Sequence, residues 1–304
     1  MLNFVLLRGN GMRTATTLCL VAVIVTAAPA ALPAQPGAHP AAAGPTAAGQ
    51  PSAPMPRLHN GKPDLSGLWE NPYTPDMAVK GTVLEANTQQ PLKLSGAALP
   101  DAKPAAIGNG PRTFDLPYTE WGLKRWKSYD PVHEGDYAGS CLPFGMSRNI
   151  NSPHGLQIVH NDSSVALLFE QNTWFHWVPT NGMKWPADLP ASWNGVSTGH
   201  WDGDTLVIET TGFNGYTRLD TAGHPHSKQL KLINTFTRID AHTLRHTVTV
   251  HDPKAYTQDW MNVRTWHTKP SFDVIMEYSC EENNLDNILS GAIKPWRPPE
   301  DDED

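Results

Sequence analysis

QLKLINTFTRIDAHTLRHTVTVH, residues 229–251, alternates apolar and polar side chains along two runs with a polar link between them. In Gln229–Ile239, Leu230, Leu232, Asn234, Phe236 and Arg238 share one face, and Lys231, Ile233, Thr235 and Thr237 the other. In Thr243–His251, Leu244, His246, Val248 and Val250 alternate with Arg245, Thr247, Thr249 and His251. A period of two is the pleat of a β-strand, and the short Asp240-Ala241-His242 link makes the runs neighbours in an antiparallel pair.

The same pattern extends in both directions. His154–His160, Val165–Gln171, Thr173–Pro179, Trp193–Trp201 and Thr205–Thr211 precede the pair; Asp259–His267 and Asp273–Glu281 follow it. Asp64–Glu70 reads as an earlier, first strand. Asn161 to Ser164, Asn181-Gly182 and Asp202-Gly203-Asp204 supply turn chemistry between runs. Successive strands joined by short links pair as an up-and-down meander. A sheet of this size must hide its edges, usually by closing into a barrel or packing as a sandwich. The expected fold is mainly β: an antiparallel up-and-down barrel with one short helix and a long irregular N-terminal segment. The helix is expected in Pro117–Tyr129, where Trp121, Leu123 and Trp126 are available for one face. Gly139–Arg148 is expected to cross or wrap the barrel mouth.

The chain has 304 residues, and its ends read differently from its body. Arg8 and Arg13, an apolar run from Leu18 to Val25 and small residues from Ala27 to Ala34 describe a secretory signal peptide in residues 1–34. The run is too short to span a bilayer. Residues 35–56, mostly Ala, Pro, Gly and Ser, read as a disordered linker. Residues 57–299 suit a single β-barrel domain. The all-acidic tail, 300–304, supplies most of the net charge of −7, so the body is near neutral and nucleic acid is not an expected partner. A periplasmic or secreted location follows from the leader. Two cysteines then remain, Cys141 and Cys280, and in an oxidising compartment the simplest reading is a disulfide. Closing so long a loop contributes about 4–5 kcal/mol in the chain-entropy treatment.

Five strand runs carry one histidine each: His154, His176, His200, His246 and His267. Imidazole titrates near neutrality and suits acid–base work when its surroundings tune it. His246 stands out because its face is otherwise Leu and Val. The loop Asp220-Thr221-Ala222-Gly223-His224-Pro225-His226-Ser227 brings a carboxylate, two imidazoles and a hydroxyl together near the predicted rim. His226 and His246 are therefore the candidate acid and base, and Asp220 or Glu170 the orienting carboxylate. Trp177, Trp201, His176 and Arg238 are candidate substrate contacts. His224 and His226 with Asp220 could bind a metal, but His-x-His in a loop is a weaker signal than metal-free chemistry. There is no Gly-rich phosphate loop and no nucleophile elbow, so no nucleotide or other organic cofactor is expected.

The stretch Trp193-Asn194-Gly195-Val196-Ser197-Thr198-Gly199-His200-Trp201-Asp202-Gly203-Asp204-Thr205-Leu206-Val207-Ile208-Glu209-Thr210 resembles a large family of secreted bacterial proteins. The likeness continues through Gly223-His224-Pro225-His226-Ser227, Asp252-Pro253-Lys254-Ala255-Tyr256-Thr257 and Cys280-Glu281-Glu282-Asn283. That family is uncharacterised, so the resemblance implies a location and no activity. Gly67-Leu68-Trp69 is similar to the Gly-x-Trp signature of lipocalin-type barrels, which implies a calyx-like barrel. Residues 70–153 separate it from the next clear strand, where lipocalins turn directly. Those relatives include ligand carriers and a few cofactor-free hydratases and isomerases. The expected function is cofactor-independent acid–base chemistry, of lyase, hydratase or isomerase type, on a hydrophobic or aromatic small molecule. The alternative is a non-catalytic small-molecule carrier on the same barrel.

Overall fold

In the computed structural model of the chain, the strands and helices run in the order β1 (Gly67–Glu70), β2 (Thr82–Glu85), α1 (Glu120–Lys127), α2 (Met146–Ile150), β3 (Leu156–His160), β4 (Ser164–Phe169), β5 (Phe175–Pro179), β6 (Val196–Asp202), β7 (Thr205–Thr211), β8 (Lys231–Arg238), β9 (Thr243–His251) and β10 (Trp260–Thr268). The described residues are 55–93, 116–130, 137–270, 273–282, 289–291 and 295–298. They belong to one unit, Pro51–Asp304. The expected signal peptide, nearly all of the linker and the acidic tail lie outside the described residues.

The expected barrel is present. Strand order around the sheet is β5-β4-β3-β1-β10-β9-β8-β7-β6, which is chain order bent into a nearly closed ring. β1 closes the ring by pairing β3 on one side, through Trp69↔Leu156, and β10 on the other, through Trp69↔Thr268. The chain then leaves the barrel and returns as β2, which pairs the other half of the same β10 edge, from Trp260↔Glu85 to Val263↔Thr82. β1 and β2 thus act as one interrupted strand.

Nine strands cannot alternate in direction all the way round a ring. Eight neighbour pairs are antiparallel ladders, so the remaining pair, β5 and β6, must run the same way. His176 of β5 meets Ser197 of β6 at 2.6 Å. Two residues on, a Cβ on Gly199 would lie 3.0 Å from Val178 Cγ1. The two strands advance in step, side by side, with side-chain contacts and no ladder between them. A parallel pair needs a long crossover. Residues 180–195 provide it, and the Trp185 indole N–H donates to Ser197 O at 2.6 Å along the way.

Period-two burial holds through the sheet. Leu232, Asn234, Phe236 and Arg238 of β8 and Leu244, His246, Val248 and Val250 of β9 are buried, as their alternation requires. Trp69, Trp260 and Trp266, all fully buried, fill the interior with Leu206, Ile208 and Phe236. α1 starts at Thr119, whose hydroxyl accepts the Gly122 N–H at 3.0 Å, so the expected helix holds in a shorter form. Gly139–Arg148 contains the start of α2, whose five residues are all buried.

One expected strand is absent. Asp273–Ser279 has no ladder partner, and Cys280 begins a helical turn. β1 and β2 already occupy the β10 edge on which this run would have paired. It forms a strap instead, with Val274 and Met276 more than 60 % exposed. Glu170 accepts the Met276 N–H at 3.1 Å, and the expected Cys141–Cys280 disulfide ties the strap down with a Cα–Cα distance of 5.5 Å. Among the described residues, no helix is long and apolar enough to cross a membrane.

Candidate active site at the barrel mouth

The long connections after β1, β7 and β9 meet at one end of the barrel. Between β7 and β8, Arg218 pairs with Pro225 across an antiparallel bridge, and Leu219 N–H donates to His224 O at 2.9 Å. Asp220 holds the turn: its Oδ1 accepts the N–H groups of Gly223 and His224 at 3.1 and 3.2 Å. Its Oδ2 reaches out of the turn to accept the Met77 N–H at 2.7 Å. Ala222 N–H donates to Pro75 O at 2.8 Å, so residues 75–77 are laced to this loop. The lacing sets Asp76 beside His224.

His224 is fully buried and engaged on both ring nitrogens. Nε2–H donates to Asp76 Oδ1 at 3.0 Å, and Nδ1 meets the Tyr118 hydroxyl at 2.5 Å. A carboxylate can only accept, so Nε2 carries a proton. The neutral ring therefore accepts the Tyr118 O–H at Nδ1, and the protonated ring donates to it. One proton can pass between hydroxyl and imidazole without either group moving. Trp126 stacks on His224 with ring centroids 5.3 Å apart, and Tyr118 stacks on Trp126 and on Tyr256. Asp76 and Tyr118 are the partly exposed members of the cluster.

The two carboxylates differ. Burial pushes the Asp220 carboxyl up to about 6, with the negative charge of Asp76 adding to the effect and His224 opposing it. Burial acts the same way on Asp76 but loses there to His224 and to the N–H groups of Ala78 and Val79, which hold it below the usual carboxylate range. Asp220 Oδ2 lies 3.7 Å from His224 Nε2. One acid whose pKa is raised towards neutrality thus sits beside one held below the usual carboxylate range, with an imidazole between them. Asp76, Asp220 and His224 also offer three ligand atoms within 4.8 Å of one another and could hold a metal ion. Their main-chain and imidazole N–H partners already close the cluster with protons alone.

The other candidates are dispersed. His226, two residues from His224, faces the opposite way: its Nδ1–H donates to Ser227 O at 3.0 Å, and Nε2 accepts the Thr217 hydroxyl at 2.6 Å. Burial lowers it to about 4, so it is neutral and takes no part in the Asp76–Asp220 cluster. His246 lies inside the barrel, fully buried between Phe236 and Trp266, where desolvation first and the Arg264 charge second hold it well below its ordinary range. Its nitrogens are taken by Asn234 and Arg264. His176 is at the β5–β6 seam, buried and lowered to about 4. His200 and His267 face outward, and His154 is half-buried at the edge of β3.

Glu170 lies away from the Asp76–Asp220 cluster, with Oε2 3.9 Å from His154 Nδ1. It accepts the N–H groups of Gly155 and Met276, both at 3.1 Å. Arg238 closes the far end of the barrel: it lies over the Trp69 ring and donates to the carbonyls of Asp64, Asp240 and Ala241. All three of its nitrogens are thereby used. Trp201 packs on the core at the same end, within 6.3 Å of the His160 ring. Trp177 is on the outer wall, edge-on to Trp185 and 42 % exposed, so it lines no interior.

Sequence reading missed Asp76, Tyr118 and the pairing of His224 with them. Tyr118 falls at the start of the expected helix, and Asp76 in a stretch without periodicity. Neither position carries a local signal for its partner, more than 100 residues away. No protein-family model, curated protein or solved structure matches the chain.

Proposed function

We propose that the protein is a secreted enzyme that transfers protons on a hydrophobic or aromatic small molecule, with no organic cofactor. Tyr118 is the group that meets the substrate, and His224 and Asp76 stand behind it as the relay that takes up or returns the proton. Asp220 keeps the role of a second carboxylate, and the acid–base roles first given to His226 and His246 pass to Tyr118 and His224. The observation that carries this reading is the Tyr118–His224–Asp76 line beside a second carboxylate of opposite protonation preference. Pairs of acids whose surroundings drive their pKa values apart are the arrangement acid–base catalysis requires. Trp126 and Tyr256, buried and stacked against Tyr118 and His224, make the surroundings of the Tyr118 hydroxyl apolar, which suits an aromatic or apolar substrate. The reaction class is isomerisation, elimination or hydration, in which a C–H proton next to an electron-withdrawing group is removed or added. The leader-like residues 1–34, the likeness to secreted bacterial proteins and the Cys141–Cys280 bridge support an extracytoplasmic site of action.

Incubation with aromatic and aliphatic carbonyl compounds in D2O tests this. The wild-type protein is expected to place deuterium at carbon, read by NMR, and Tyr118→Phe or His224→Asn to slow that step by about 100-fold or more. Compounds that bind and are recovered unchanged and undeuterated across the panel would sink the enzyme and leave a carrier.

A further inference from the structure

Inside the barrel, Arg264 makes no ion pair with a carboxylate among the described residues. Arg264 of β10 is 4 % exposed. Its Nη1 donates to Thr74 Oγ1 at 3.0 Å and to Asn151 Oδ1 at 2.5 Å, and its Nη2 to His246 Nδ1 at 3.2 Å. All three acceptors are neutral, and a buried guanidinium normally takes a carboxylate. Asp220 exerts the attraction Arg264 feels, but it spends its hydrogen bonds on the N–H groups of Met77, Gly223 and His224.

On the His246 side of Arg264 the described residues leave further donors unmatched, while the unmatched acceptor Asn262 Oδ1 lies on its other side, towards Gly81. Because Arg264 donates to His246 Nδ1, the ring proton is on Nε2, which donates to Asn234 Oδ1 at 2.9 Å. That fixes the amide of Asn234 the other way round, with Nδ2 pointing off the ring. Asn234 Nδ2, Arg264 Nε and the Trp266 indole N–H are all buried, and none has an acceptor among the described residues. Each belongs to a side chain in contact with His246. Buried donors without acceptors are rare in folded proteins, and three around one ring beside an unmatched cation ask for an acceptor that carries negative charge.

We infer that the barrel interior around Arg264, Asn234 and Trp266 binds the carboxylate of a small organic acid. The site lies directly beneath the relay: Thr74 is two residues from Asp76, and Asn151, which holds Arg264, donates to Leu219 O next to Asp220 at 2.9 Å. Phe236 and Trp266 give the acid an apolar wall. The assignment rests on the proposed function only in making this acid the substrate; the binding itself stands without catalysis.

Calorimetric titration of the full-length protein with benzoate, its neutral isostere benzamide, and inorganic phosphate tests it without turnover. Benzoate is expected to bind saturably and at least tenfold more tightly than either of the others. Asn234→Asp places a carboxylate oxygen where the unmatched amide donor stands, with little change of shape. It is expected to fold, to melt no lower than wild type and to lose benzoate binding at least tenfold. Arg264→Gln is expected to lose it as well. His224→Asn is expected to keep it, so a failed relay and a failed anion site give different results. No benzoate binding, benzamide or phosphate binding as tightly as benzoate, or unchanged benzoate binding in Asn234→Asp, would each overturn the inference.

Discussion

His224 and His226 stand on either side of Pro225 and meet opposite chemistry. In extended backbone, residues two apart share a face, yet here one imidazole faces two carboxylates and the other a threonine hydroxyl and a carbonyl. The difference decides their protonation and makes stability depend on pH. His226 and His176 are each lowered to about 4 by burial, against 6.5 in an unfolded chain. A depressed base contributes stability that is whole above its unfolded value and is lost as pH falls through the folded one. Each costs about 2.5 kcal/mol by pH 4.5, and His246 acts in the same direction. Asp220 acts oppositely: raised to about 6, it gives stability that is whole below 3.8 and is lost as pH rises through 6. Acidification to pH 4.5 returns about 2 kcal/mol from it. The histidines outweigh the acid, so unfolding free energy is expected to fall by about 3 kcal/mol between pH 7 and pH 4.5, read by urea titration at each pH. A stability that rose over that range would show that these rings are not buried as described. At this scale the sequence was only half legible. Alternation placed His246 and Asn234 indoors, whereas a loop has no period, so nothing local could tell His224 from His226 or connect either to Asp76.

Strands announce themselves when one face is buried and the other is not, which is why β7 and β9 fall where alternation puts them. β2 escaped because four residues, Thr82-Val83-Leu84-Glu85, carry too little period to show in a Pro- and Gly-rich stretch. Asp273–Glu281 misled for the converse reason: its alternation is real, but a strand also needs an edge, and β1 and β2 had taken the one available. Docking of α1 is likewise decided by its neighbour. Gly122 sits on the 252–257 link so closely that a Cβ there would lie 2.1 Å from Ala255 O. The same carbonyl accepts the Thr119 N–H at 2.9 Å, so the start of the helix is pinned at the residue after Tyr118. In a free helix Gly→Ala stabilises by about 1 kcal/mol. Here Gly122→Ala is expected to destabilise by about 1–3 kcal/mol, because the methyl forces α1 off the link. On the proposed role of Tyr118 it is also expected to slow deuterium incorporation, because Tyr118 shifts with the helix start. A raised melting temperature for Gly122→Ala would mean the helix does not dock in this way.

The whole molecule turns on an odd number. A meander of nine strands can close only if one neighbouring pair runs parallel, and the chain places that pair where a long crossover was already needed, between β5 and β6. Short links were legible as turns, and the meander followed from them; the parity of the ring was not, because it depends on β1 joining from far upstream. The seam is held by side chains, through a chain of hydrogen bonds from His176 to Ser197 at 2.6 Å and from Ser197 to Thr210 at 2.7 Å. Elsewhere main-chain ladders hold the wall, and Cys141–Cys280, bridging 139 residues of chain, adds about 5 kcal/mol against unfolding without touching the ring. Local opening should therefore begin at the seam. Amides of β5 and β6 that face each other have no ladder partner, while those of β8 and β9 are paired on both sides. In native-state hydrogen exchange, seam-facing amides of β5 and β6 are expected to exchange at least about tenfold faster than ladder amides of the same strands. The β8–β9 amides are expected to exchange last. Uniform protection around the ring would mean that β5 and β6 are joined by a true ladder, and with it the parallel seam would have to be given up.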